Sequence, residues 1–187
     1  MELRELSKID DPLLQKIGRL RVEAWQTKTS RAAEMETWID EFDLTARHWV
    51  VFQNGLPVAA ARLSVHEALE DIPDAESYLG VFRKNPPALI ASLNRLVVAP
   101  CARGLGLSKR LDVARLRAAE QMGCRSAVLS TASGSGRVKQ LVGWGFAVAG
   151  EGPRFKNPPL CHLGAPVVLS REIGLAWKLN CKPVSRF

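Results

Sequence analysis

The chain of 187 residues has 47% hydrophobic and 24% charged residues, and its 26 Lys and Arg outnumber 19 Asp and Glu for a net charge of +7. This is the balance of one globular domain, and it excludes a disordered, collagen-like or coiled-coil chain. The basic excess suits an acidic partner, whether a phosphate-bearing small molecule, a nucleic acid or an anionic membrane surface, or else a plainly solvated surface, since no run of five like charges occurs.

Residues 2–8 alternate weakly and predict a first strand. Asp10, Asp11 and Pro12 then mark a helix start, acidic cap candidates with proline just inside, and Leu13, Leu14, Ile17, Leu20, Arg21 and Ala24 continue it at helical spacing. A second short helix is expected over Ala32 to Ile39. His48 to Phe52 is an apolar, β-branched strand. Asn54-Gly55 follows, a type I′ hairpin signal, because both central positions of that turn need positive φ. Leu56 to Val65 is the returning strand. Residues 67–87 are polar and form an excursion of lid-like length.

Leu89 to Val98 reads as a buried strand ended by Pro100, which has no N–H to give a ladder. An amphipathic helix follows from Gly106 to Met122, with Leu107, Leu111, Ala114, Ala118 and Met122 on one stripe and Lys109, Arg110, Arg115 and Arg117 off it. Gly123 is its C′ glycine. Ser126 to Thr131 is the next strand, Ser133 to Val142 a helix, and Gly143-Trp144-Gly145-Phe146 a turn into another strand. Val167 to Leu169 is the last strand, before a tail. No repeat or linker divides the chain, so 1–187 is expected to be a single domain. Within it, 1–46 holds the first strand and helices, 47–150 the core, and 151–187 the last strands and tail.

Several function classes are not supported. Cys101, Cys124, Cys161 and Cys181 form no C-x-x-C pair, and His48, His66 and His162 do not complete a zinc spacing, so no metal site is expected. The charged opening Met1-Glu2-Leu3-Arg4 has no apolar signal core, and no apolar run reaches the length of a membrane span. A cytoplasmic protein with free thiols is expected. The few aromatics do not interleave with Lys or Arg, so nucleic acid is not the expected partner.

The chemistry concentrates between Leu96 and Ser108. A strand ends, a loop with Gly104 and Gly106 turns, and a helix begins with its first N–H groups unpartnered. Glycines let the backbone approach a ligand, Arg103 adds charge, and the helix dipole favours an anion, so the segment suits a pyrophosphate. A dinucleotide fingerprint fails, because Lys109 stands where a third glycine is required, and P-loop spacing is absent. What remains is Arg-x-x-Gly-x-Gly/Ala, with Ser108 in its last place.

That pattern resembles the acyl-CoA-binding motif of the GNAT acyltransferase superfamily, over residues 47–150. It is preceded by Val98-Ala99-Pro100 and followed by helix, strand and the Gly145-Phe146 pair that often follows the next helix in that family. The resemblance implies an α/β (α+β) fold: a mixed, mainly antiparallel, splayed sheet with helices on both faces. It further implies a CoA-dependent N-acyltransferase that passes an acyl group, acetyl first of all, directly to an amine of a small-molecule or peptide acceptor. Leu96, Val97, Val98, Arg103, Gly104, Leu105, Gly106, Leu107 and Ser108 would then hold acetyl-CoA or another acyl-CoA. Many relatives carry a tyrosine in the helix before Gly-Phe and a carboxylate late on the central strand. Here Leu141 takes the first place, and Asn94 and Arg95 the second. Asn94, Arg95 and Ser133 are therefore the catalytic candidates, with Ser135, His66 and Glu67 as substitutes; helix capping is the plainer role for Ser133 and Ser135.

A fainter resemblance is to acyl-homoserine-lactone synthases and long-chain N-acyl amino acid synthases, through Asp40-Glu41-Phe42-Asp43, Ala61-Arg62-Leu63 and Asn94-Arg95-Leu96-Val97-Val98. It would bring a long-chain acyl-CoA or acyl carrier protein as donor. Asp40, Asp43, Arg62 and Arg95 are then either substrate contacts or a salt-bridged brace between the N-terminal helices and the sheet. A non-catalytic CoA-binding module is a third reading, and a homodimer is compatible with all of them.

Overall fold

The computed structural model describes residues 1–6, 9–26, 35–154 and 164–174. Their strands form one sheet in the order β1-β2-β3-β4-β5-β7-β6. In chain order these are β1 (Glu2–Leu6), α1 (Asp11–Gln26), β2 (Arg47–Gln53), β3 (Leu56–His66), β4 (Ile90–Val98), α2 (Leu107–Gln121), β5 (Ser126–Ala132), α3 (Gly136–Val142), β6 (Ala147–Glu151) and β7 (Pro166–Glu172). All neighbours pair antiparallel except β4 and β5, which are parallel with α2 as the crossover. The mixed, mainly antiparallel architecture is the expected one. Among the described residues no helix is long and apolar enough to cross a membrane.

Local signals act where they stand. Asp10 Oδ1 accepts the Leu13 N–H at 2.8 Å and starts α1. Asn54 and Gly55 take φ of 51° and 76°, as a type I′ turn demands. Gly123, at φ 78°, closes α2. The helix expected over Ala32 to Ile39 is not formed in its described part, residues 35–39; residues 32–34 lie outside the described residues. The reason is packing. The Trp38 N–H donates to the Gly18 carbonyl at 3.2 Å, and Ile39 lies where a β-carbon on Gly18 would be, so this stretch is laid along α1. A 3₁₀ turn, Glu41–Leu44, follows, capped by Asp40.

Strand alternation sorts the two faces. Arg62, Ser92 and Asn94 point to the face covered by α1, where Arg62 meets Asp43 and Asp43 meets Arg21. Ala61, Leu63, Ala91 and Leu93 share a core with Leu111 and Leu116 of α2 and Leu141 of α3. The stripe predicted for α2 is inside, but so are Asp112 and Arg115, at 1% and 0% exposure, and Arg115 had been placed off it.

The 67–87 excursion is a wall rather than a loose lid. Its Leu69, Ile72 and Tyr78 form a second core with Ile90, Val128 and Val168. It is clamped from the far end of the sheet: a β-carbon on Gly152 would sit 2.3 Å from the Ser77 carbonyl oxygen. We expect Gly152→Ala to lose about 1–3 kcal/mol through forced displacement of that backbone. Urea denaturation measures it, and an unchanged midpoint would contradict the clamp.

Candidate active site

The site begins with a defect in the sheet. β4 and β5 pair through only three positions, Ile90 with Ser126, Ala91 with Ala127 and Ser92 with Val128. Beyond Ser92 the two strands part, although β5 stays paired with β7 as far as Ala132. On its other side β4 is bulged against β3: Arg62 faces Asn94, but Ala60 faces Val97. The extra residue bends the strand. Arg95 carries it at φ 50°, a conformation that non-glycine residues seldom adopt. Buried Arg115 of α2 supports the bend, its Nη1 donating to the carbonyls of Arg62 at 2.8 Å and Asn94 at 3.1 Å.

A cavity of about 300 Å³ occupies the fork. Leu93 to Val97 of β4 face Leu129 to Ala132 of β5 across it, and it is walled from both sides of the sheet. Arg21, Trp25, Trp38, Asp74 and Tyr78 stand on one side, Ser135 and Arg137 at the start of α3 on the other. Such an opening can hold two reactants that meet between the strands.

The bulge aims both Asn94 and Arg95 at the α1 face, into one ionic network. Arg95 donates to Asp40 Oδ2 from Nη2 at 2.7 Å and to Asp74 Oδ2 from Nη1 at 3.4 Å, and lies 4.5 Å from the centre of the Trp38 ring. Arg62 bonds Asn94 Oδ1 at 2.5 Å from Nε, and its Nη1 bonds Asp40 and lies 3.0 Å from Asp43. Arg21 grips Asp43 with both terminal nitrogens at 2.8 Å. Asp40 and Asp43 are also each other's capping partners in the 3₁₀ turn, so one short motif fixes the backbone and supplies the counter-charges.

Burial alone would raise the Asp43 carboxyl, but the hydrogen bonds and charges of Arg21 and Arg62 outweigh it and hold Asp43 well below its ordinary 3.8. Asp40 is lowered in the same way, by Arg62 and Arg95 against burial. Tyr78, the chain's single tyrosine, is pushed by burial up to about 12 and keeps its proton. On the opposite face Asp112 binds Arg115 and also Arg137, at 2.9 and 3.0 Å, which fixes the cavity arginine on α3 to α2.

The residues singled out from sequence fall out as follows. Asp40, Asp43, Arg62 and Arg95 form the salt-bridged brace, and Arg95 lines the cavity as well. Asn94 lines it, with Oδ1 committed to Arg62 and Nδ2 to Ser92. Ser133 is exposed in the turn before α3, outside the lining. It is Ser135, with a buried hydroxyl lacking a hydrogen-bond partner, that reaches the cavity, because α3 starts later than expected. His66 packs edge-on against Phe42 and Glu67 is exposed; neither lines the cavity. Leu96 and Val97 do.

In the loop beyond them, Gly104 and Gly106 take φ of 81° and 71°, are exposed, and have nothing within 4 Å of a β-carbon position. Leu105 is also exposed, and Leu107 is buried as the first core residue of α2. Arg103 ties the loop to α1 by donating to the Ala24 carbonyl at 2.8 Å. Among the described residues no group of three His, Cys, Asp or Glu could hold a metal ion.

The sequence reading missed Trp25, Trp38, Asp74, Tyr78 and Arg137. Only Arg21 gave a signal, as a charge inside an apolar helical stripe.

No protein-family model matches the chain, and no curated protein matches it in sequence. Solved structures do match. A CoA-dependent acyl-homoserine lactone synthase, BjaI, in complex with SAM and isopentyl-CoA, superposes with a TM-score of 0.68 at 15% identity, over 92% of this chain and 83% of that one. The AHL synthase LasI gives 0.66 at 18%, over 92% and 89%. The ribosomal-protein-S18-alanine N-acetyltransferase from Escherichia coli gives 0.58 at 14%, over 97% and 99%. The likeness is one of fold, and it reaches both branches named from the sequence motifs.

The network yields a pH prediction. Asp43 is lowered on folding, so its contribution is complete above its unfolded value near 3.8 and is lost as pH falls below that toward the folded value. Asp43→Asn leaves Arg21 and Arg62 short of buried counter-charge and is expected to lose about 3–5 kcal/mol at pH 7. Its stability should also fall less than wild type as pH is lowered from about 5 to about 2, most of the range over which a depressed carboxylate loses its contribution. Denaturant titrations at several pH values check both; parallel pH profiles would contradict the assignment.

Proposed function

We propose that the protein transfers an acyl group from an acyl-CoA thioester directly to the amine of a small-molecule or peptide acceptor. The observation that carries this reading is the fork: one cavity, lined from both faces of the sheet, at the point where β4 leaves β5 and just ahead of the open glycine loop.

In this reading the pyrophosphate rests on the backbone of Arg103 to Ser108, where glycine geometry and the first turn of α2 offer N–H groups to an anion. The pantetheine arm runs along Leu96, Val97 and Val98, which have no β5 partner. A freed amide of β4 donates to the thioester oxygen and stabilises the charge that develops there. The acceptor amine approaches from the side of Trp38, Arg95 and Asp74. Its nitrogen forms the new bond to the carbonyl carbon, the carbon–sulfur bond breaks, and the thiolate takes a proton from solvent. The proton lost by the amine passes to Asp74, the acidic residue among those lining the cavity. Asn94 and Arg95 act as positioning residues, Arg95 by holding Asp74. Ser133 has no part. Most of the acceleration comes from bringing two bound reactants together.

A second reading has an observation of its own in its favour. Arg95 and Arg137 line the cavity while each is held at its rim by an aspartate, Asp40 and Asp112, and guanidinium groups fixed in this way suit an acceptor carrying a carboxylate beside its amine. An N-acyl amino acid or homoserine-lactone type synthase, with a longer acyl-CoA or an acyl carrier protein as donor, would use such an acceptor.

Free-thiol release from acetyl-CoA and from octanoyl-CoA, and from octanoyl-acyl carrier protein, over a panel of peptides, polyamines, amino acids and S-adenosylmethionine separates the readings. Turnover with carboxylate-free amines supports the first, turnover confined to amino-acid-like acceptors supports the second, and binding without turnover supports a CoA-binding module. For the donor site, acetyl-CoA at 100 times its Kd should stabilise the fold by about 2.7 kcal/mol. Arg103→Ala and Gly106→Val should each weaken acetyl-CoA by about tenfold, roughly 1.4 kcal/mol. Calorimetry measures this, and wild-type affinity in both variants would show that the loop is not the donor site.

A further inference from the structure

The fork closes at an apex. Its last paired rung is Ser92 with Val128, and the first residues past that rung, Leu93 and Leu129, line the cavity. Tyr78 lines it too, at 2% exposure, and its oxygen is hydrogen-bonded by Ser130 of β5. It is at once a cavity residue and a core residue. Behind it lie Leu69, Ile72, Ile90, Val128 and Val168, all at 2% exposure or less and purely apolar. The ring thus stands between the cavity and an apolar core. Its neighbour Ser77 is held by the close approach of Gly152, so the ring cannot withdraw without moving that backbone.

We propose that Tyr78 is the residue that sets acyl-chain length, a plug at the apex of the fork that admits a short acyl group and shuts longer ones out of the apolar cluster behind it. The inference rests on the acyl-thioester reading above. A thioester held along β4 points its acyl carbons away from the pantetheine, into the narrowing fork toward Leu93, Leu129 and Tyr78. Those carbons gain free energy only from apolar surface, and the apolar volume at that end is filled by the ring and the side chains it covers. Removing the ring beyond its β-carbon joins cavity and cluster, and the new space is lined by leucine, isoleucine and valine.

Calorimetric affinities for acetyl-, butyryl- and octanoyl-CoA test this without knowledge of the acceptor. Wild type should bind octanoyl-CoA about tenfold more weakly than acetyl-CoA, with butyryl-CoA between them. Tyr78→Ala, and the better-packed Tyr78→Leu, should raise the octanoyl-to-acetyl affinity ratio by about tenfold. Tyr78→Phe keeps the ring, loses the hydroxyl and should keep the wild-type ratio, which separates bulk from hydrogen bonding. Circular dichroism confirms that each variant is folded, and Tyr78→Leu carries the test if Tyr78→Ala does not fold. Equal wild-type affinity for all three thioesters, or an unchanged ratio in a folded Tyr78→Leu, overturns the plug while leaving the donor site intact. Failure of every thioester to bind overturns the donor site and the plug together.

Discussion

Everything at this site follows from two parallel strands that stop pairing. A parallel β4–β5 ladder continued along its length would close the sheet and leave no room for a ligand between the strands. Here pairing ends at Ser92 and Val128, and the bulge at Arg95 turns β4 aside. Opening a sheet in its middle strands polar backbone groups in the interior, which is costly unless something satisfies them. Arg115 does part of this from α2, through the carbonyls of Arg62 and Asn94. A cavity bordered by the remaining edge groups is a natural place for a carbonyl-bearing ligand.

Holding that defect open falls to buried charge. Asp40 and Asp43 draw Arg21, Arg62 and Arg95 together on one face, and Asp112 draws Arg115 and Arg137 together on the other. Ion pairs of this kind add little net stability compared with a well-packed apolar alternative. What they do is fix geometry: each arginine has several directed donors, and each aspartate accepts from more than one. The two networks meet at Asn94, whose side chain takes part in the first and whose carbonyl takes part in the second. The same groups that brace the fork therefore also present charge to its interior, through Arg95 on one side and Arg137 on the other.

Much of this was legible in the sequence because it is local. The hairpin at Asn54-Gly55, the cap at Asp10, the glycine at the end of α2 and the glycine-bearing loop after β4 each depend on a few adjacent residues. The Asp40-Asp43 and Arg62-Arg95 constellation was visible as residues, although whether it braced the fold or faced a ligand was not. Asp74 and Tyr78 were not legible. They reach the cavity because residues 67–87 fold back against Gly152 and the last strands, a long-range contact with no local periodicity. Residues 35–39 were misread for a similar reason, since packing against Gly18 overrides helical spacing. Arg115 was misread because a lone arginine beside an apolar stripe looks solvated until its partner Asp112, three residues earlier, is seen to be buried with it.

The central claim is that an acyl-CoA thioester lies from the glycine loop into the fork. Backbone amide shifts of labelled protein, recorded as acetyl-CoA is added, test it most directly. The account predicts saturable changes concentrated in residues 103–109, 93–97 and 129–132, leaving β1 and the Asn54-Gly55 hairpin still. Changes confined to other surfaces, or none at millimolar ligand, would contradict it.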